Sequence, residues 1–372
     1  IKSKVYKVMT LFFVVVLSFC IAGSNVDART RTLSNETSYF TTSDIVTHHV
    51  DIDFDCVDIH KQPSLNHPLL KNHKIQLYPT FTRNIMSKRP SYDGKIIEEC
   101  PIGKIPFHKK IKRHQIEGFQ SNSHEYHSIS LDTNQTMTFH GGCAYIGAYN
   151  LTLTEKQYSL SGFWVESGPP SNLNNIFFGA GVMPNLYGDS QLHLTARWTA
   201  DGSGCYDIHC PGFVQVRSNT YLGMVLSHVS SIGTFRKLVL VVTIKQDKVT
   251  GHWWLCIYSW LECFGYFPKE LFSHLSSGAS IVRYGGETYT PPGMVSPPMG
   301  SGRLPQEKFR NSGFMERVEI INSEYNQIDI NPRTMKINKD GNLSCYDLLY
   351  RGFEGGSARH AFLYGGPGGR SC

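Results

Sequence analysis

In RYGGETYTPPGM, Arg283 to Met294, one carboxylate, Glu287, follows two glycines and precedes a pair of prolines. A glutamate in that setting is either a positioned acid or base or a solvated loop residue. The common signatures of serine and zinc peptidases are missing, because the chain has no GxSxG and no HExxH phrase. The other reactive side chains are ten cysteines. Cys56 and Cys100 bracket one block and can staple it. Cys205 and Cys210 in GCYDIHCPGF are near enough for a bridge across a tight loop, and Cys256 and Cys263 in CIYSWLEC can close a hairpin. Cys20 falls in the apolar leader run, so nine remain; Cys345 and Cys372 can pin the C-terminal tail, which leaves Cys143 as the odd thiol, unpaired or intermolecular. A zinc set of Cys205, His209 and Cys210 with Cys256 and Cys263 is set aside because no CxxC pair occurs, so no metal and no cofactor is expected.

These residues need elements to hold them, and the chain divides by composition. Residues 1–28 read as a secretory signal: Lys2, Lys4 and Lys7 precede an apolar run from Val8 to Ala22, too short for a comfortable membrane span. A signal anchor is the alternative. Residues 29–50 are polar and aperiodic and read as a tether, and residues 51–115 read as a compact prosegment too small for a generous core of its own. Residues 116–127, with the basic run KKIKRH just before them, read as a linker open to processing enzymes, or as a plain solvated one.

From residue 128 to 372 the pattern becomes short alternating segments between Gly, Pro, Asn and Asp. In LHLTARW, period-2 alternation puts Leu192, Leu194, Ala196 and Trp198 on one face, while KLVLVVTI is a fully apolar strand. The expected architecture is all-β, an antiparallel sandwich of two sheets, with one short helix at Pro268–Ser277. Of the adjacent pair Trp253 and Trp254, one ring should point inward and one outward.

Charge argues against a nucleic-acid partner. The first 127 residues carry 17 Lys and Arg against 12 Asp and Glu, and the remainder carries 19 against 18, so most of the net +6 lies outside the sandwich. Secretion implies oxidised cysteines and sugars, the latter at the sequons of Asn35, Asn134, Asn150 and Asn342. Beyond the leader no apolar run is long enough for a span, so no membrane association is expected after its removal.

Eight phrases taken together, DCVDIHKQPSLNHPLLKNHKIQ, CPIGKIPF, MPNLYGD, WTADGSGCYDIHCPGFVQV, GHWWL, YGGE, PPMGSGRLP and YGGPGG, resemble the plant neprosin family. The resemblance spans Phe54 to Cys372. It implies a secreted zymogen whose β-sandwich cuts after proline at acid pH, using two glutamates that share a proton across a cleft. Its partners would be a proline-containing peptide and its own prosegment. Glu287 matches the second glutamate of that pair, with Tyr284 where the family has tryptophan. The stretch NNIFFGAGVMPNLYGD puts Phe177 on the first, so the partner carboxylate is missing and activity is expected to be impaired or absent. Glu166, on the same strand face as Trp164, is a candidate surrogate for an active acid-pH endopeptidase. Tyr187, Trp198 and Tyr284 resemble residues near the family's cleft, with core packing as the alternative for Trp198 and Tyr187. A cell-wall carbohydrate-binding sandwich is a third reading, resting on fold analogy.

Overall fold

The structure, a computed structural model, describes residues 37–39, 54–82, 100–108, 126–134, 137–234, 237–257, 262–339 and 342–372. Residues 1–28, read above as a signal, most of 29–50, nearly all of 116–127, the basic run from Lys109 and Asn35 lie outside the described residues. Within the tether, Thr37–Tyr39 is a strand that pairs in parallel with Lys237–Val239, a pairing that composition alone does not signal.

Apart from this parallel pairing and a separate two-stranded sheet in the N-terminal block, the strands form an antiparallel sandwich. One sheet has seven strands in the order Met335–Lys339, Tyr126–Thr133, Ile281–Tyr289, Tyr158–Ser167, Asn174–Val182, His193–Ala200 and Ser203–Tyr206. The larger sheet has eleven, with Lys237–Gln246 and Gly141–Gly147 at its middle, and on its way to one edge it runs through the hairpin Trp253–Ile257 and Glu262–Phe267. Strict alternation sorts every residue of the smaller sheet to one face or the other. Leu194, Ala196 and Trp198 of one strand, Phe163 and Val165 of another, and Ile176 and Phe178 of a third all enter the main core between the sheets. Their neighbours Arg197, Trp164 and Phe177 therefore face outward.

The short helix expected at Pro268–Ser277 is only a 3-10 turn, Lys269–Leu271. Phe272 leaves it in an extended conformation and sends its ring inward, 6.1 Å from that of Trp198. Core contact outweighs local helical preference here. Trp253 enters the main core and donates its indole N–H to the Leu275 carbonyl at 3.0 Å. Trp254 faces the opposite side of its sheet, yet it is equally buried.

The N-terminal block buries Trp254. Phe54–Asp58 pairs with Lys104–His108, and the Cys56–Cys100 bridge staples the pair. Between these strands, Leu65, Ile75 and Phe81 pack on Val214, Trp254 and Tyr266. Leu70 goes further and joins the main core, where it is 2% exposed. Polar contacts set the register of docking. The Gln62 side chain accepts from the Gln215 amide at 2.9 Å and donates to its carbonyl at 3.2 Å. Asp247, in the turn KQDKVTG, accepts from the Thr80 amide at 2.6 Å, the Thr80 hydroxyl at 2.7 Å and the Gln76 amide group at 2.9 Å. A block too small for a core of its own thus borrows one from the sandwich.

The remaining bridges are Cys205–Cys210, Cys256–Cys263 and Cys345–Cys372, so a cysteine-bound zinc has no ligands here. Cys143 is free and fully buried, which places it out of reach of a second chain; burial pushes its thiol up to about 12. Asn134, Asn150 and Asn342 are exposed. Because Leu70 is a core residue contributed by the N-terminal block, Leu70→Ala should destabilise the full chain by roughly 2–5 kcal/mol. Denaturant unfolding would register this as a lower midpoint, and an unchanged midpoint would mean that the block does not share the core.

Candidate functional site

The outward face of the smaller sheet gathers its charged and aromatic side chains around Glu287. The two glycines before that residue are required by packing. A Cβ on Gly285 would lie 1.9 Å from the Ile129 carbonyl oxygen of the next strand, and one on Gly286 would lie 2.8 Å from the Met299 sulfur on the core side. Close approach of strand and core beneath Glu287 therefore holds its backbone rigidly.

The Glu287 carboxylate meets the Arg197 guanidinium two-pronged, Oε1 accepting from Nη1 at 2.8 Å and Oε2 from Nη2 at 3.2 Å. Tyr158 donates its hydroxyl to Oε1 at 2.6 Å. Both charged side chains are largely buried, 8% exposed for Arg197 and 15% for Glu287. Burial pushes the Glu287 carboxyl up, but the Arg197 charge, its hydrogen bonds and the Tyr158 hydroxyl outweigh that and hold it below the ordinary value of 4.5. Arg197 Nη1 also donates to the Tyr206 hydroxyl at 3.1 Å, and its guanidinium sits 5.6 Å from the centre of that ring. Beside the pair, Tyr126, Tyr158 and Tyr289 form a ring cluster with centroids 4.8 to 6.3 Å apart.

Phe177 lies between Trp164 and Arg197 in the sheet register. It is fully buried, with its ring 4.9 Å from that of Trp164 and closed over Gly162, where an added Cβ would come within 2.5 Å of it. Leu160, Met183 and Tyr206 complete this apolar floor. Position 177 is thus a packed hydrophobic site, and the charge next to it in register is positive.

The structure does not bring Glu166 to Glu287. Glu287 stands opposite Leu160 and Glu166 opposite Ile281, six residues further along the same strand. That offset is roughly 20 Å. Glu166 instead accepts from Arg283 Nη2 at 3.0 Å and from the Asn175 amide group at 2.7 Å. Tyr284 and Trp198 are corrected as cleft residues, because both point to the core side. Tyr284 is three residues from Glu287, an odd offset that reverses the face, and it donates its hydroxyl to the Glu319 carbonyl at 2.7 Å. Trp198 packs among core residues and against His67 of the N-terminal block, at 5.8 Å between ring centres. Tyr187, on the short helix Pro184–Tyr187, packs at the margin of the apolar floor. It stacks on His193 at 3.8 Å and donates to Asp207 Oδ2 at 2.6 Å. Burial pushes the Asp207 carboxyl up to about 6, although Tyr187, the Ala196 amide and Thr195 pull it back.

Arg197, Tyr158, Tyr126, Tyr289 and Tyr206 were not foreseen from sequence. Parity could have found two of them, since Tyr289 is two residues from Glu287 and Arg197 must face opposite to Trp198.

The fold and the site together describe an antiparallel sandwich with a carboxylate-bearing outer face. The profile of the Neprosin family matches residues 155–367, and the chain belongs to that family. Among solved structures it is similar to scytalido-glutamic peptidase with a transition-state analogue inhibitor, at 8% identity over 65% of this chain and 98% of that one, with a TM-score of 0.36. It is also similar to SCP-B, a member of the Eqolisin family of peptidases in complex with the tripeptide Ala-Ile-His, at 7% identity over 65% and 97%, with a TM-score of 0.30. Scores this low transfer no residue roles.

Removing the Arg197 charge leaves a buried carboxylate unpaired. Arg197→Met should therefore cost roughly 3–5 kcal/mol at neutral pH. The sign follows from linkage. In the native protein the depressed Glu287 carboxyl stabilises above its ordinary value of 4.5, and that contribution fades as pH falls through its lower folded value. In Arg197→Met, the burial that raises the carboxyl is opposed only by the Tyr158 hydroxyl and the Arg283 charge, so the penalty should shrink as acid protonates it. Thermal unfolding at a series of pH values would show the two proteins converging toward acid, and a constant gap would refute the pairing.

Proposed function

We propose that the chain is a secreted neprosin-family protein that binds proline-containing peptide on the outer face of its smaller sheet and does not cut it. The observation that carries this reading is the Arg197–Glu287 pair. Two-carboxylate hydrolysis needs one group protonated and the other free to activate water. Here the carboxylate has an arginine for a partner. Arg197 and Tyr158 take three of its roughly four acceptor sites, and Phe177, at the position that resembles the family's first glutamate, is a buried ring. Among the described residues, the hydrogen bonds at Glu287 come from Arg197 and Tyr158 and none from a second acid, which supports this reading.

Binding is supported by the tyrosine cluster beside the ion pair, with Tyr126, Tyr158 and Tyr289 all half-buried. Aromatic rings with polar tips suit a proline ring and its flanking amides. The same cluster gives the carbohydrate reading its one specific support, since sugars also stack on tyrosine. Secretion is supported by the leader-like run Val8–Ala22 and by four disulfides, which persist in oxidising compartments. Among the described residues no helix is long and apolar enough to cross a membrane.

The test is an acid-pH assay, at about pH 3–5, where a carboxyl pair would share a proton. The chain should leave a proline-containing peptide intact, bind it, and bind it about two- to tenfold more weakly as Tyr289→Ala, given an aromatic contact worth roughly 0.5–1.5 kcal/mol. The double variant Phe177→Glu with Arg197→Leu supplies the acid and removes the competing charge, so it should gain measurable cleavage. Cleavage by the unaltered chain that disappears in Glu287→Gln would overturn the proposal. Binding of an oligosaccharide in place of the peptide would move the assignment to the carbohydrate reading.

A further inference from the structure

A second group of ligating side chains lies on the other sheet, at the seam with the N-terminal block. His73 comes from the block, His252 opens the strand Trp253–Ile257, and Glu270 sits in the 3-10 turn Lys269–Leu271. One ligand atom from each lies within 4.8 Å of the others. The two imidazole rings meet edge to face, with centroids 5.1 Å apart. His252 Nδ1 is 3.8 Å from Glu270 Oε2.

We propose that His73, His252 and Glu270 form a binding site for a divalent transition metal of the zinc class, shared between the N-terminal block and the sandwich. Two imidazoles and one carboxylate suit that class and disfavour calcium or magnesium, which take oxygen shells. Three protein ligands also leave a fourth position for water. A tetrahedral shell with bonds of roughly 2.0–2.2 Å needs the three ligand atoms a little closer together than they stand. Half-buried His73 and exposed Glu270 have the freedom to close that gap.

The surroundings prepare the ligands. The Tyr266 hydroxyl lies 2.8 Å from His73 Nε2 and accepts the Gln76 amide at 2.9 Å, an outer contact that fixes the ring's orientation. His252 is stacked on the Tyr266 ring at 4.9 Å, and its Nδ1 accepts the Lys269 amide at 3.2 Å, a bond that ligation through Nδ1 would replace. A single tyrosine thus orients both rings. The ion would stabilise the docked block by mass action, because only the docked block offers all three ligands.

This inference is independent of the peptide reading. The full chain is stripped with a chelator and titrated with Zn2+ at pH 7 by calorimetry, and in parallel with Co2+ by visible absorption. Expected are one tight equivalent, cobalt bands typical of four-coordination, and a higher melting temperature with zinc. His73→Gln and Glu270→Gln change half-buried and exposed positions and should leave the fold intact. Each should weaken binding by more than about tenfold, the loss seen even for outer-shell changes. Absence of a tight equivalent would overturn the site. So would an equivalent that both variants keep unchanged, since it would belong to other histidines among the chain's 16.

Discussion

A carboxylate cannot remain charged inside a protein without a counter-charge and hydrogen-bond donors, and the outer face of the smaller sheet is arranged to meet that requirement at Glu287. The strands bring Arg197 and Tyr158 to it, and two glycines beneath it let backbone and core close up. The aromatic ring cluster then lines one side of the pair and the apolar floor around Phe177 lines another. Each of these groups restricts how the others can be replaced. A second acid at position 177 would enter a packed apolar site and find itself beside a guanidinium already in use.

The larger sheet obeys a different constraint. Its edge hairpin carries Trp254 and Tyr266 outward, and such rings demand cover. The N-terminal block supplies it, anchored at Gln62, Asp247 and Leu70. The described part of that block therefore lies against the larger sheet and the open end of the core, whereas Glu287 belongs to the outer face of the smaller sheet. Its visible contribution is to complete the fold, and whatever it does to access at the ion pair does not come from these contacts.

Much of the fold was legible because β structure writes itself with a period of two. LHLTARW sorts its residues as expected, and bridges between cysteines five and seven apart follow from loop geometry. The candidate site was legible only along the chain. Glu287 and Phe177 stand out by resemblance, but Arg197 and Tyr158 are separated from Glu287 by 90 and 129 residues, and only sheet register brings them to it. Tyr284 was placed at the cleft by resemblance, whereas the parity of its strand turns it to the core face. The Pro268–Ser277 segment failed as a helix because Phe272 gains more by turning into the core.

The bridge between Cys56 and Cys100 joins the N-terminal block to itself and to nothing in the sandwich. A peptide-bond cut in the stretch after residue 108 would therefore convert one chain into a two-part complex with no covalent tie left between the parts. From then on dilution would matter: block and sandwich would separate or rejoin according to their concentrations, and the surface around Trp254 would become an interface whose occupancy depends on how much free block surrounds it.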